Sequence, residues 1–179
     1  DRMTYPVANL LMLAKADEGA ISLQTVAVDL DDLVASEARR LRAQTNLTVS
    51  TRLEAIQVSA DPEKLAQALR NLIDNAARFA EREILLTLVA VDDSAQLGVG
   101  DDGPGIPVDR RASVLERFAR LDDHRGRGQG GSGLGLSIAS EIVCLHGGYI
   151  VVGESALGGA QVSLVLPLVG PGTTRASSR

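Results

Sequence analysis

Apolar positions along this chain recur at two spacings, about 3.6 residues in some stretches and two residues in others, which predicts helices and strands mixed along its length. Between 1 and 18, Met3, Val7, Leu10, Leu11 and Ala14 keep a helical spacing. Pro6 fits the first turn and Gly19 a stop, so a helix is expected from near Tyr5. A second helix is predicted over 30–43, with Asp29 as N-cap and Leu30, Leu33, Val34 and Leu41 along one side. Stretches 47–52 and 56–59 read as short strands. Asp61-Pro62 then joins a capping acid to a proline at the first helical position, opening a helix that runs to about Ala80. Strands over 84–91 and 96–100, joined by Asp92-Asp93-Ser94, form a hairpin. The first of them is apolar on both faces, as a central strand would be. Residues 103–131 are rich in Gly, Arg and Asp, with one short helical patch around Val114 to Phe118. A helix over 133–146 and strands over 149–153 and 161–166 follow. Residues 170–179 are a Gly/Ser/Thr/Arg tail, expected to be disordered. The order predicts an α+β class, a mixed sheet with helices on one face.

Composition narrows what such a domain can bind. The 179 residues suffice for one domain with extensions. Aromatic residues make up 2% of them, so Leu, Ile, Val and Ala must build the core, and binding of nucleic acid by stacking is excluded. The net charge of -5 repels polyanions at long range. A bound polyanion must therefore be held by a few local positive groups and backbone N–H donors. The single cysteine, Cys144, allows no internal disulfide, and its apolar neighbours Ile142, Val143 and Leu145 predict a core position. No run of about 18 apolar residues and no signal peptide is present in the sequence.

Three stretches carry candidate chemistry. On the 61–80 helix, Leu65, Leu69, Leu72, Ile73 and Ala76 gather on one face, while Asn71, Asn75 and Arg78 fall opposite. A solvated polar face would favour Glu, Lys or Gln over two asparagines, which are poor helix formers. Amide oxygens can instead reach a metal, and the arginine a phosphate; Mg²⁺ takes oxygen ligands and shares them with substrate phosphates. The second stretch is Asp101-Asp102-Gly103-Pro104-Gly105, a tight turn after a strand. A carboxylate there can accept the exocyclic amine of adenine. The third is Gly131-Ser-Gly133-Leu134-Gly135-Leu136, which runs into an apolar helix whose first N–H groups can cradle phosphate. Gly128-x-Gly130-x-x-Gly133 matches a dinucleotide fingerprint in letters but follows no strand, and no Gly-Lys-Ser/Thr of a P-loop is present.

Together, over about 24–168, these stretches resemble the catalytic and ATP-binding domain of sensor histidine kinases, of the superfamily shared with gyrase, the heat-shock chaperone and mismatch-repair ATPases. Asn71 to Phe79 is similar to the N box, Asp101 to Gly105, with Ile106 after it, to the first glycine box, and Gly131 to Leu136 to the second. Leu115-Glu-Arg-Phe118 looks like the F box, and 158–167 like the closing strand. The resemblance implies a two-layer α/β sandwich of the Bergerat type with a mobile lid at about 108–130. It further implies that Asp101 binds adenine, that Asn75 ligates Mg²⁺, that Asn71 supports metal and phosphates, and that Arg78 and Phe79 stand beside the nucleotide. Arg125 and Arg127 could touch the γ-phosphate, with Phe118 anchoring the lid. Hydrolytic relatives carry Glu where this chain has Asn71; an amide cannot accept a proton from water, so transfer to a histidine is expected over hydrolysis.

Residues 1–19 resemble the end of a dimerisation-domain helix, 20–168 the ATP-binding unit, and 169–179 a tail. The acceptor motif of the family is absent; His124 and His146 are the only histidines, and both read as structural or incidental. The expected protein is the ATP·Mg²⁺-loading part of a two-component kinase, its partner the phosphoacceptor dimerisation domain and, indirectly, a response regulator. The piece itself is expected to be monomeric, on the cytoplasmic side of a membrane-anchored parent. A stand-alone ATPase and a protein serine kinase of the same superfamily are the alternatives.

Overall fold

The computed structural model describes residues 22–116 and 133–168. The helix expected over 1–19, the lid residues from 117 to 130 and the tail over 169–179 lie outside these. Strand β1 (Val26–Asp29) pairs antiparallel with β3 (Gln57–Ala60), Val28 opposite Val58. A five-stranded sheet runs in the order β2 (Thr48–Leu53), β4 (Glu83–Val91), β5 (Ser94–Asp101), β7 (Ala160–Pro167), β6 (Tyr149–Glu154). Only β2 and β4 are parallel. The sheet is therefore mixed, and β4 lies inside it, as its two apolar faces predict. Strand β1 is the element that the sequence pattern does not reveal, because only Val28 of its four residues is buried.

Helices α1 (Leu30–Gln44), α2 (Pro62–Phe79) and α3 (Gly135–Leu145) pack on one face of this sheet. Alternate strand residues meet them: Ile84, Leu86 and Leu88 from β4, Leu97 and Val99 from β5, Val162 and Leu164 from β7, all in one buried cluster. Tyr149 and Val151 on the reverse face are exposed. This is the two-layer α/β sandwich. Among the described residues no helix is long and apolar enough to cross a membrane.

Several boundaries differ from the sequence reading for local reasons. The β4–β5 turn needs only Asp92 and Asp93, because Asp92 takes a left-handed φ of 52°, which a short polar side chain tolerates. Helix α3 begins at Gly135, not Gly133, whose φ of 68° is incompatible with a helix. It ends at Leu145, with Gly147 at φ 75° and two closing bonds, Gly148 N–H to the Val143 carbonyl and Gly147 N–H to that of Cys144, both at 2.9 Å. The patch expected near Val114 is a pair of 3-10 turns, Val108–Arg110 and Ser113–Leu115. Asp29 precedes α1 but makes no cap bond; its carboxylate takes Gln57 Nε2 at 2.9 Å instead. Cys144 is a correction: it is exposed, while Ile142 and Val143 are buried. Neighbours in sequence stand about 100° apart around a helix, so an apolar neighbourhood along the chain does not place Cys144 in the core.

Candidate functional site

Two helices carry the site, and one buried histidine joins them. Asp61 caps α2: its Oδ1 accepts the N–H groups of Glu63 and Lys64, both at 3.1 Å, and its Oδ2 accepts that of Gln24, also at 3.1 Å. Burial pushes this carboxyl up, but donation from Lys64, Gln24 and Glu63 outweighs it and holds the group below its usual value. The N–H of Asp61 itself donates to His146 Nε2 at 3.0 Å, and His146 Nδ1 donates to the Ile142 carbonyl at 2.7 Å. Because Nε2 must accept, this bonding assigns a neutral ring with its proton on Nδ1. His146 is 1% exposed. Its role is structural, as expected: it stands at the C-cap of α3 and binds the end of that helix to the start of α2.

Along α2, Leu65, Leu69, Leu72, Ile73 and Ala76 are buried, and Asn71 and Asn75 are half-buried. Asn71 lies against the first turn of α3: a Cβ on Gly135 would stand 3.9 Å from its Oδ1. Its Nδ2 is buried with no hydrogen-bond partner among the described residues. Buried donors are nearly always paired, and leaving one unpaired costs about 1–3 kcal/mol. Asn71 therefore points to a bound acceptor. At the facing helix start, Leu134 holds the N-cap position with no side-chain cap bond, and the first turn carries no acid. The side chain of Leu134 leaves these first N–H groups uncapped, and such groups suit an anion. Arg78 is exposed, its Cζ 5.5 Å from the centre of the half-buried Phe79 ring.

The first glycine box closes the other side. Asp101, the last residue of β5, is 4% exposed. Its Oδ1 accepts the N–H groups of Gly103 at 2.9 Å and Ala160 at 3.2 Å, and Oδ2 takes part in neither bond. Burial raises its pKa above the ordinary value; those two donors oppose the shift, and the neighbouring charge of Asp102 adds to it. The backbone is packed so closely here that side chains are excluded. A Cβ on Gly103 would overlap the carbonyl of Phe79, and one on Gly159 would overlap the Asp101 carboxylate. Asp102 turns the other way and takes the N–H groups of Glu81 at 2.8 Å and Arg82 at 3.0 Å on its Oδ1. Beyond the box, Arg111 Nε donates to the Ile106 carbonyl and its NH2 group reaches Glu154, each at 3.1 Å. A cleft of about 260 Å³ lies there, walled by Gly105, Ile106, Val108, Arg111, Glu154 and Gly159, and not by the asparagine helix.

Thus Asn71, Asn75, Arg78 and Phe79 share α2; Asp101, Gly103, Gly105 and Ile106 form the turn after β5; Gly133, Leu134, Gly135 and Leu136 lead into α3. The structure brings Asn71 to Gly135, and Phe79 to Gly103. Gly131, Phe118, His124, Arg125 and Arg127 lie outside the described residues. The sequence reading missed Asp102, Arg111 and Gly159 as parts of the site. Asp102 stands inside a motif already singled out, whereas Gly159 adjoins Asp101 only through the pairing of β5 with β7.

The profile of the family described as "Histidine kinase-, DNA gyrase B-, and HSP90-like ATPase" matches residues 60–170, which span α2, the glycine box and β7. The chain belongs to this family. It is 37% identical over 172 residues to the signal transduction histidine-protein kinase BaeS of Escherichia coli K12, covering 93% of the chain. It is 35% identical over 188 residues to the histidine-protein kinase/phosphatase MprB of Mycolicibacterium smegmatis, covering 99% of the chain. The chain spans 37% of the length of each of these two relatives. Among solved structures, full-length ShkA in complex with AMPPNP superposes with a TM-score of 0.78 at 30% identity, over 90% of this chain and 35% of that one. In this histidine kinase-, gyrase- and HSP90-like ATPase domain, the end of α2 and the turn after β5 meet where the Phe79 carbonyl packs against Gly103.

Proposed function

We propose that this chain is the Mg²⁺·ATP-binding catalytic unit of a two-component sensor histidine kinase, which supplies the γ-phosphoryl group to a histidine on a dimerisation domain. The observation that carries this is the buried, partnerless Nδ2 of Asn71 beside the uncapped start of α3. Phosphate oxygens are the acceptors that both would meet. Asp101 Oδ2 takes the adenine amine, and Phe79 and Arg78 border the nucleotide. Gly103, Gly105, Ile106, Gly131, Gly133, Leu134, Gly135 and Leu136 let backbone approach it. The side-chain oxygens fit Mg²⁺, a hard cation that takes neutral oxygen donors together with phosphates; Asn75 would hold it, and when bound it neutralises phosphate charge.

Asn71 positions but cannot take a proton, so water is a poor nucleophile here and a histidine imidazole held in line is the acceptor. His146 cannot be that acceptor, because both its ring nitrogens are engaged in the core. In this reading residues 20–168 are the ATP unit with its lid at about 108–130, and 1–19 join it to the dimerisation domain. The parent is membrane-anchored with this unit on the ATP-containing cytoplasmic side, its phosphoryl group passes on to a response regulator, and the chain alone is monomeric.

Titration calorimetry with ATP and Mg²⁺ tests the site. Binding is expected in the wild type, and Asp101→Asn should weaken it at least about tenfold, since a hydrogen bond to a charged group contributes roughly 1.5–3 kcal/mol. Equal binding by the two would remove Asp101 from the adenine contact. No heat at any of several temperatures, with folded protein, would overturn the nucleotide reading.

A further inference from the structure

Asp101 and Asp102 are adjacent in sequence but face different partners. Asp101 faces the site. Asp102, whose side chain is 14% exposed, faces the loop between α2 and β4. Its Oδ1 accepts from Glu81 N–H at 2.8 Å and Arg82 N–H at 3.0 Å, and its Oδ2 shares the Arg82 N–H at 3.1 Å. The Arg82 guanidinium adds little, at 4.0 Å and 88% exposed. Burial pushes this carboxyl up, yet donation by the Arg82, Glu83 and Glu81 N–H groups holds it below the ordinary value, so it is ionised at neutral pH. The loop it holds starts at the end of α2, where the Phe79 carbonyl packs against Gly103 too closely for a Cβ. Asp102 thus ties the last turn of the helix that bears Asn75, Arg78 and Phe79 to the strand end that bears Asp101.

We propose that Asp102 is a positioning residue for nucleotide recognition: by tethering Glu81 and Arg82 it sets the distance between Phe79 and the Asp101 carboxylate, the two groups that meet the base. The inference rests on the nucleotide reading above. Because the tether lies at the base end, its loss should weaken ATP and ADP by the same factor.

Calorimetry of the whole chain with ATP and with ADP, both with Mg²⁺, tests this at a temperature where circular dichroism shows every variant folded. Asp102→Ala should weaken both nucleotides about tenfold, as expected for loss of charge-assisted bonds. Asp102→Asn should restore binding to within about threefold of wild type, because one amide oxygen can accept both N–H groups, as Oδ1 does. Asp102→Glu keeps the charge but lengthens the tether, so it should fold and still bind more weakly than Asp102→Asn; this variant decides the matter if Asp102→Ala does not fold. A residue that only stabilises the fold would lower the melting temperature and leave both affinities unchanged, which would overturn the proposal. So would a loss confined to ATP. A wild type that binds neither nucleotide overturns the nucleotide reading and this inference with it; a wild type that binds both, with Asp102→Ala and Asp102→Glu binding equally well, overturns this inference alone.

Discussion

The Asp101 carboxyl, the proposed adenine contact, works against the stability of its own fold. Burial, opposed by two N–H donors, raises its folded pKa above the ordinary carboxyl value of 3.8. Between 3.8 and that raised value the folded chain binds more protons than the unfolded chain, so stability falls as pH rises through the window. Recognition of the adenine amine needs the ionised form, so affinity falls as pH drops through the same window. Asp101→Asn should therefore move the two properties in opposite directions: a melting temperature at pH 7 equal to or above that of wild type, with weaker nucleotide binding. The ratio of wild-type to Asp101→Asn affinity, measured from pH 4 to 7, cancels the titration of the phosphates and should shrink towards acid. A constant ratio would contradict an ionised Asp101 at the base. Gly159 marks the same close packing: Gly159→Ala would drive a methyl group into the Asp101 carboxylate and should abolish measurable binding even where the chain still folds.

Between elements, the site depends on how α2 and α3 are joined. Asp61 and His146 connect the start of one helix to the end of the other, so Asn71, midway along α2, and Gly135, at the start of α3, meet in a fixed relation. His146→Leu leaves the Asp61 N–H buried without its acceptor. It should lower stability by about 1–3 kcal/mol for each group left unpaired, read as a lower urea midpoint with unchanged slope. The Asp61 carboxyl, held below the ordinary value of 3.8, contributes stability that is present above 3.8 and is lost as pH falls through its depressed value. Helix α1 is fastened to α2 differently: the buried Glu37 accepts Arg40 Nε at 2.6 Å and Arg70 Nε at 2.8 Å, and Arg40 reaches Asp74 at 3.2 Å. Helical periodicity placed these three helices to within about two residues. It could not show Glu37 as buried, because its partner Arg70 lies 33 residues away on another helix.

For the whole molecule, the proposed role is a unit that keeps ATP intact until a histidine is presented. The chain alone, with ATP and Mg²⁺, should release phosphate slowly and acquire no acid-labile label. Added to a separate helical-hairpin polypeptide that carries the acceptor histidine, it should transfer label that is lost in acid, as phosphohistidine is. Rapid steady phosphate release abolished by Asn71→Ala would favour a stand-alone ATPase, and an acid-stable label on the acceptor would favour a serine kinase. Most of the fold was legible in the pattern of apolar residues, since among the described residues four of the seven strands and all three helices bury at least two core positions each. Strand β1 was not, because a four-residue strand with one buried side chain has no period to read.

The sequence by itself determined the helix and strand order, the capping of α2 by Asp61, and the polar flank of Asn71, Asn75 and Arg78. Those properties are local: they follow from residue type and from spacing within one element. Only the tertiary structure decided which groups became neighbours across elements. It placed Asn71 Nδ2 without a partner beside the start of α3, gave the two adjacent aspartates opposite pKa shifts, turned Cys144 outwards and fixed the tautomer of His146. Burial and hydrogen bonding depend on segments tens of residues apart, and no spacing within one segment encodes them.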